Sequence, residues 1–332
     1  MEMESSDCDS SFFEQKNIFI ALTYKCNAFC RKCITRYNRF RNQSMQRSDC
    51  RRLAELLIAN HFSGIINLGS GESLLYDELP TFVERVLSEL PQVRFRILTN
   101  GMLFSSRLPA FFFSPRIIWG ITLDGFCNAD LQHLQQGVDV ETVKHNIISV
   151  CKAGFASNLY LNYTLNKQNI RSLKAYIDFA NEIGVPKIYV TEMKIFKGFK
   201  DLDRYRLSQE DKNAVISLRQ YAEKMPFKVV SFDTERDLAH RKNCLQLKGR
   251  ISPIIDLDCS LTFCSGQEDR FLGSIFEADT LTKWSALLKK LQADNTLAAK
   301  WCSRCFSNME ADGYFSVPLS LNPYLWERCH VL

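Results

Sequence analysis

The fold of this chain is predicted by the segment Cys26-Asn27-Ala28-Phe29-Cys30-Arg31-Lys32-Cys33, whose three cysteines have the spacing C-x3-C-x2-C. The segment lies just after a short apolar run, Ile18-Phe19-Ile20-Ala21-Leu22, that is typical of a β-strand. Three thiolates on one loop can hold three irons of a cubane iron–sulfur cluster and leave the fourth iron open to a small molecule. A zinc loop is the alternative, although zinc loops usually need a second pair of ligands elsewhere.

The composition predicts a globular protein with one large domain, or with a large and a small one. The chain has 332 residues, of which 46% are hydrophobic and 24% are charged. No run of 18 or more apolar residues occurs, so we expect no membrane partner. Residues 1–17 are acidic and Ser-rich and lack the features of a secretory signal, which predicts a disordered leader and a cytoplasmic protein.

The cysteine count points to metal chemistry, whereas the charge distribution leaves two interpretations open. Thirteen cysteines, an odd number, favour metal ligation over a disulfide framework in a reducing compartment. The segment from Arg31 to Arg52 holds eight basic residues against Asp49 alone, so it can attract an acidic peptide or a nucleotide, or it is simply a solvated surface. With a net charge of only +5, we expect no nucleic-acid partner.

Apolar strands alternate with helical segments over the first two thirds of the chain. This alternation predicts parallel βαβ units and an α/β fold, a partial (β/α)6 barrel of the TIM type, with a doubly wound sheet as the alternative. In such barrels the loops after the strands build the site, so the cysteine loop, Glu72, Asn100 and Asp124 should converge on one rim. The predicted strands cover residues 18–22, 64–68, 93–99, 117–122, 158–164 and 187–191, and helices cover 48–60, 79–90, 141–153, 169–183 and 207–223.

The cysteine spacing resembles the signature of the radical S-adenosylmethionine (SAM) superfamily, and later strand ends strengthen this resemblance. The turn Gly69-Ser70-Gly71-Glu72 resembles the family's GGE motif, whose carboxylate contacts the amino group of SAM. Thr99-Asn100-Gly101 and Thr122-Leu123-Asp124-Gly125 resemble the TNG and SLDG strand ends. The resemblance implies a cluster on Cys26, Cys30 and Cys33, and a SAM site that includes Gly69, Ser70, Gly71, Glu72, Asn100, Thr122 and Asp124.

Two positions depart from the family pattern. Lys32 stands where the family usually has an aromatic residue that packs near the adenine of SAM. Gln136 stands where an arginine often contacts the carboxylate of SAM, so this contact is weaker here or is supplied by another residue.

The last quarter of the chain resembles the SPASM and twitch domains that extend many radical SAM enzymes. The segment 254–264 resembles their I-x-D-x-D-G-x-V-x-x-C hairpin, with Asp258-Cys259 at the turn, and Cys302-Ser303-Arg304-Cys305 resembles their closing C-x2-C. The resemblance implies an auxiliary [4Fe-4S] cluster on four cysteines, with a zinc site as the alternative. The four implied ligands are Cys244, Cys264, Cys302 and Cys305.

Together these features predict a core domain over residues 18–235 and an auxiliary domain over 236–332. The resemblance implies an enzyme that cleaves SAM to a 5′-deoxyadenosyl radical, which abstracts hydrogen from substrate, with an electron from a reductase or flavodoxin-type donor. The first hypothesis is a peptide-modifying enzyme that forms a crosslink or epimerises a residue, with Cys259 or Cys329 as candidate hydrogen donors. The second is dehydrogenation of a small polar metabolite such as an aminosugar alcohol, and the third is a zinc-stabilised binding protein without activity.

Overall fold

A mixed α/β sheet organises the chain in the computed structural model. The structure describes residues 12–33, 35, 40–131, 134–195, 200–233, 253–263, 271–294 and 296–297. The strands are, in chain order, β1 (Asn17–Ile20), β2 (Phe29–Cys30), β3 (Ile65–Leu68), β4 (Arg94–Thr99), β5 (Ile117–Thr122), β6 (Gln135–Gln136), β7 (Leu159–Leu165), β8 (Lys187–Glu192), β9 (Val229–Asp233), β10 (Ile254–Ile255), β11 (Ser260–Thr262) and β12 (Phe271–Ser274).

Helices follow most of the parallel strands. They are α1 (Arg47–Ala59), α2 (Leu79–Glu89), α3 (Asn128–Leu131), α4 (Val140–Val150), α5 (Leu173–Glu182), α6 (Gln209–Glu223) and α7 (Ala278–Ala293). Short 3-10 turns lie at Ser73–Leu75, Ala110–Phe113, Ala156–Asn158, Ile170–Ser172 and Lys200–Tyr205. None of the helices in the described part of the chain is long and apolar enough to cross a membrane.

The parallel strands follow the order β1-β3-β4-β5-β7-β8-β9 within a ten-stranded sheet. This confirms the predicted α/β class and the partial TIM-type barrel. Strand β9 adds one parallel strand to the six that the sequence predicts. Over the described residues the sheet keeps two edges, at β12 and β9, and does not close into a complete barrel.

Apolar side chains of the strands and helices form one continuous core. Trp119 of β5 is completely buried, and its indole N–H donates to the carbonyl of Phe112 at 2.9 Å. Phe82 of α2 meets Phe95 of β4 edge-to-face with 6.1 Å between ring centroids, so the amphipathic face of the helix packs on the sheet. This core fixes the strands and thereby the positions of the loops that follow them.

The predicted hairpin near residue 258 continues the core sheet. β10 and β11 pair antiparallel around a turn at residues 257–258, and β10 also pairs in parallel with β1. Phe12 is fully buried and lies edge-to-face against Trp284 of α7, with 5.3 Å between centroids. Packed structure therefore includes residue 12, which falls inside the segment expected to be a disordered leader. The domain boundary between residues 235 and 236 stays a prediction.

Candidate active site

A cavity of about 590 Å³ lies where the parallel strands end, within the range of roughly 300–1,000 Å³ that is usual for ligand pockets. It is the place where a parallel barrel carries its functional loops. The structure brings together here all the residues predicted for the core cluster and for SAM, while the role of each stays a prediction. These lining residues are Cys26, Cys30, Cys33, Gly69, Ser70, Gly71, Glu72, Asn100, Thr122 and Asp124.

The cysteine loop is held by backbone hydrogen bonds to the segment after β5. Cys30 of β2 pairs antiparallel with Gln135 of β6. The N–H of Arg31 donates to the carbonyl of Leu134 at 2.8 Å, and the N–H of Cys33 donates to the carbonyl of Cys30 at 3.0 Å. These backbone hydrogen bonds give the loop a defined conformation.

The three cysteines of this loop are free thiols, and protein groups surround two of the sulfurs. The backbone N–H of Ala28 donates to Cys26 Sγ at 3.4 Å. The hydroxyl of Thr35 lies 2.9 Å from Cys33 Sγ. Burial has the larger effect and raises the pKa of the Cys26 thiol, although the N–H of Ala28 favours the thiolate of Cys26.

The third sulfur, that of Cys30, lies in a more buried environment. Burial raises the pKa of its thiol to about 12, against the opposing effect of the Lys32 cation. The thiol is therefore protonated at neutral pH in the metal-free protein, and ligation of a metal must release its proton.

Gly71 lets the turn after β3 lie directly against the backbone that leads to the cysteine loop. A Cβ at this position would come within 2.4 Å of the carbonyl oxygen of Lys25 and 2.8 Å of that of Thr23. The N–H of Glu72 donates to the same Lys25 carbonyl at 2.8 Å. Only glycine permits this approach, which places Glu72 beside the segment that carries Cys26.

The carboxylate of Glu72 is buried and oriented by three donors. It accepts hydrogen bonds from the hydroxyl of Thr99 at 2.9 Å and from the N–H groups of Asn100 at 2.8 Å and Leu74 at 3.2 Å. Burial raises the pKa of Glu72, and these hydrogen bonds partly offset the rise. Since a carboxylate has about four acceptor positions, roughly one remains for a ligand.

Asn100 links β4 to the cysteine loop through its side chain. Its amide donates to Asn27 Oδ1 at 2.6 Å and lies 3.9 Å from Cys26 Sγ. Together with its backbone bond to Glu72, this makes Asn100 a bridge between the Glu72 carboxylate and the cysteines.

Asp124 forms a buried ion pair with Lys32, the residue that replaces the expected aromatic side chain. Lys32 Nζ contacts Asp124 Oδ2, and the two side chains are 13% and 3% exposed. The other carboxylate oxygen accepts the N–H of Thr164 at 2.6 Å. Asp124 is thus engaged by protein groups on both oxygens, while it also lines the cavity.

Gln135, and not Gln136, meets the cavity. Gln136 is exposed, whereas Gln135 is only 6% exposed and lines the cavity. Gln135 Oε1 is buried and has no hydrogen-bond partner among the described residues. A buried acceptor without a partner is costly, so a bound ligand that donates a hydrogen bond would satisfy it.

The ends of β7 and β8 form a further wall that the sequence interpretation did not include. Glu192 is 4% exposed and continues the buried positions Ile188 and Val190 of β8. A carboxylate at the end of an alternating apolar strand is the sequence signal that could have identified this residue. The lining residues of this wall are Thr164, Thr191, Glu192, Met193 and Lys194.

The structure places Cys259 away from this cavity. Cys259 is buried at the hairpin turn with φ +59°, and among the described residues it does not line the cavity. Burial raises the pKa of its thiol to about 12, and the carboxylate of Asp49 in α1 adds to the rise. Cys244, Cys264, Cys302, Cys305 and Cys329 lie outside the described residues.

The donor set of the cysteine loop fits an iron–sulfur cluster. Three free thiols follow one another on one loop at the edge of a cavity. In the described part of the chain, no three His, Cys, Asp or Glu side chains are arranged to hold a single metal ion. A cubane cluster does not require such convergence, because each thiolate binds a different iron.

The chain matches the model of a known protein family. The model of the radical SAM superfamily matches residues 20–180 of this chain. This range contains the cysteine loop, the glycine-rich turn after β3, and the ends of β4 and β5. No protein in a search of curated sequences matches the chain.

Solved structures with the same fold cover nearly the whole chain. Streptococcus suis SuiB bound to S-adenosylmethionine is 14% identical, with a TM-score of 0.62 over 93% of this chain and 77% of SuiB. The same protein bound to its precursor peptide SuiA is 16% identical, with a TM-score of 0.62 over 93% and 76%. Native anSMEcpe with bound AdoMet and the Cp18Cys peptide is 13% identical, with a TM-score of 0.61 over 93% and 95%. At these identities the likeness is one of fold.

Proposed function

Because this chain belongs to the radical SAM superfamily, we propose that Cys26, Cys30 and Cys33 hold a [4Fe-4S] cluster and that SAM binds beside it in the cavity. When bound, the reduced cluster supplies the electron that cleaves SAM, and the 5′-deoxyadenosyl radical so formed abstracts hydrogen from substrate. The observation that carries the proposal is the meeting of three free cysteines and the Gly69–Glu72 turn in one cavity. An external one-electron donor of the reductase or flavodoxin type provides the electron.

The residues around the cysteines would bind SAM through complementary groups. The remaining acceptor position of Glu72 suits the amino group of the methionine part, because a buried carboxylate binds an ammonium strongly. Gln135 Oε1 offers a second acceptor, which suits a hydroxyl or amine of the nucleoside part. Thr122, Asn100 and Asp124 also line this cavity and complete the proposed SAM site.

The substrate that we propose is a ribosomally synthesised peptide, modified by crosslinking or epimerisation. The cavity extends past the SAM-binding residues to the ends of β7 and β8, where Glu192 and Lys194 add charge of both signs. SuiB and anSMEcpe, which share the fold, have been solved with bound peptides. A small polar metabolite is the competing substrate class, and the experiment below separates the two.

We propose that the C-terminal cysteines Cys244, Cys264, Cys302 and Cys305 hold an auxiliary cluster. The support is the β10–β11 hairpin, whose turn at residues 257–258 lies one residue before the Asp258-Cys259 turn expected from the sequence. The four ligands themselves lie outside the described residues.

The test is the reductive cleavage of SAM by anaerobically reconstituted protein. We expect wild type, supplied with a chemical reductant and SAM, to form 5′-deoxyadenosine and methionine, and Cys30→Ala to form neither. Cys127→Ala is the matched control, because Cys127 is an exposed free cysteine outside the cavity lining. Equal cleavage by wild type and Cys30→Ala would refute the proposal.

The same assay identifies the substrate class. A library of synthetic acidic peptides and a panel of aminosugar alcohols are added separately to the reduced enzyme with SAM. A peptide enzyme forms 5′-deoxyadenosine faster with members of the library, and the peptide changes mass or stereochemistry. Stimulation by the aminosugar alcohols alone would assign the metabolite class instead.

A further inference from the structure

We propose that Lys32 and Asp124, which form a buried ion pair, shift the reduction potential of the cluster bound by the neighbouring cysteines in opposite directions and thereby balance each other. The inference rests on the proposed cluster site and concerns residues that the reaction itself does not consume. Lys32 lies between two of the cysteines in sequence, and its side chain crosses to the end of β5. The pair therefore places two opposite charges beside the site that must accept an electron.

Both members of the pair are held in place. Asp124 accepts Lys32 on one oxygen and the backbone N–H of Thr164 on the other, at 2.6 Å. The backbone before Lys32 is held by the hydrogen bond from Arg31 to Leu134 and by the pairing of β2 with β6, and after Lys32 the N–H of Cys33 donates to the carbonyl of Cys30. Neither charge can move far from the cysteines without breaking these bonds.

Burial makes these charges effective at the cluster. The side chains of Lys32 and Asp124 are 13% and 3% exposed, so water and salt screen them poorly. As a pair their fields largely cancel, but removal of one partner leaves a buried, uncompensated charge. Net charge near an iron–sulfur cluster is one of the factors that set its potential.

The sign of the effect follows for each partner. A lone Asp124 carboxylate disfavours the added electron and lowers the potential, whereas a lone Lys32 cation favours the electron and raises it. Removal of both charges restores approximate neutrality. A pair that only stabilises the fold would not produce opposite shifts in its two single variants.

A second ion pair on the same loop provides the control. Arg31 pairs with Asp201, but these side chains are 33% and 42% exposed. Solvent screens both of these charges, so the loss of either one should change the potential less than the loss of Lys32 or Asp124. The comparison separates a local buried charge from a general change in net charge.

The experiment is a redox titration of reconstituted full-length protein without SAM or substrate, monitored by EPR. The EPR signal of the proposed cluster is identified as the signal that wild type gives and that Cys26→Ala/Cys30→Ala/Cys33→Ala does not give. We expect a more negative midpoint potential in Lys32→Met, a more positive one in Asp124→Asn, and a value near wild type in the double variant. Arg31→Met and Asp201→Asn should each shift it less.

Shifts in the same direction for both single variants, or shifts no larger than those of the control pair, would overturn the inference. If Lys32→Met does not assemble the cluster, Lys32→Arg decides the matter. In that case a potential near wild type in Lys32→Arg together with a more positive potential in Asp124→Asn supports the inference, and an unchanged potential in Asp124→Asn overturns it. Absence of iron from wild type is a different result, because it refutes the proposed cluster site itself.

Discussion

Gly71→Ala tests whether the close approach of the turn after β3 positions the cysteine loop. The added Cβ would lie 2.4 Å from the carbonyl oxygen of Lys25 and 2.8 Å from that of Thr23, and backbone atoms cannot rotate away. Overpacking of this kind costs about 1–3 kcal/mol. Loss of the hydrogen bond from Glu72 to Lys25 adds about 0.5–1.5 kcal/mol. We therefore expect a destabilisation of about 1.5–4.5 kcal/mol.

The functional consequence should exceed the loss of stability. The displaced carbonyl belongs to the residue before Cys26, and the displaced turn carries Glu72, so both proposed ligand-binding elements move apart. We expect the affinity for SAM to fall at least about tenfold, which corresponds to 1.4 kcal/mol. Urea denaturation of the metal-free protein gives the stability change, and equilibrium binding of SAM to the reconstituted protein gives the affinity.

Gly154→Ala is the matched control for this experiment. Gly154 has φ +91°, and no atom lies within 4 Å of the position that a Cβ would take. Alanine there should lower the free energy of unfolding by about 1–2 kcal/mol through backbone strain alone. It should lower stability without changing the affinity for SAM. Equal losses of SAM affinity in the two variants, or an unchanged affinity in Gly71→Ala, would refute the argument.

Three further predictions concern single side chains. Gln135→Leu should weaken SAM binding by about 2- to 12-fold in equilibrium titrations, because it removes about one hydrogen bond. The exposed control Gln136→Leu should leave the affinity unchanged, and equal effects of the two variants would contradict the assignment of Gln135 to the SAM site. Glu72→Gln should lower the free energy of unfolding of the metal-free protein by about 1–3 kcal/mol in urea denaturation, because an amide cannot accept all three hydrogen bonds of the carboxylate. An unchanged denaturation midpoint would count against these three hydrogen bonds. Phe12→Ala should lower the free energy of unfolding by about 3–5 kcal/mol in the same urea measurement, because the ring is fully buried against Trp284. A loss below about 1 kcal/mol would show that this contact is not formed in solution.

The rim of the barrel could be predicted because it depends on local patterns. Alternating apolar strands and helices indicate parallel units, and parallel strands end on one side. The cysteine loop, Glu72, Asn100 and Asp124 are therefore expected near one another from sequence, and the structure places all of them in one cavity. Strand β9 was missed although its residues, Val229 to Asp233, include a β-branched and aromatic run.

The partners of individual side chains could not be predicted. Which of Gln135 and Gln136 meets the cavity depends on the register of a two-residue strand, and a shift of one residue reverses the answer. The ion pair of Lys32 with Asp124 joins positions 92 residues apart, which no spacing rule connects. The burial of Cys259 beside α1 likewise follows from the packing of the hairpin and not from the spacing of the cysteines.

The most direct test of the account counts iron and sulfide per chain after anaerobic reconstitution. Wild type is compared with Cys26→Ala/Cys30→Ala/Cys33→Ala. The difference between the two counts reports on this cluster alone, because any further cluster contributes equally to both proteins. We expect the variant to contain about four fewer irons and four fewer sulfides per chain, and to lose the change in EPR signal that SAM produces in wild type. Equal iron content in the two proteins would contradict the central claim that these three cysteines hold the cluster.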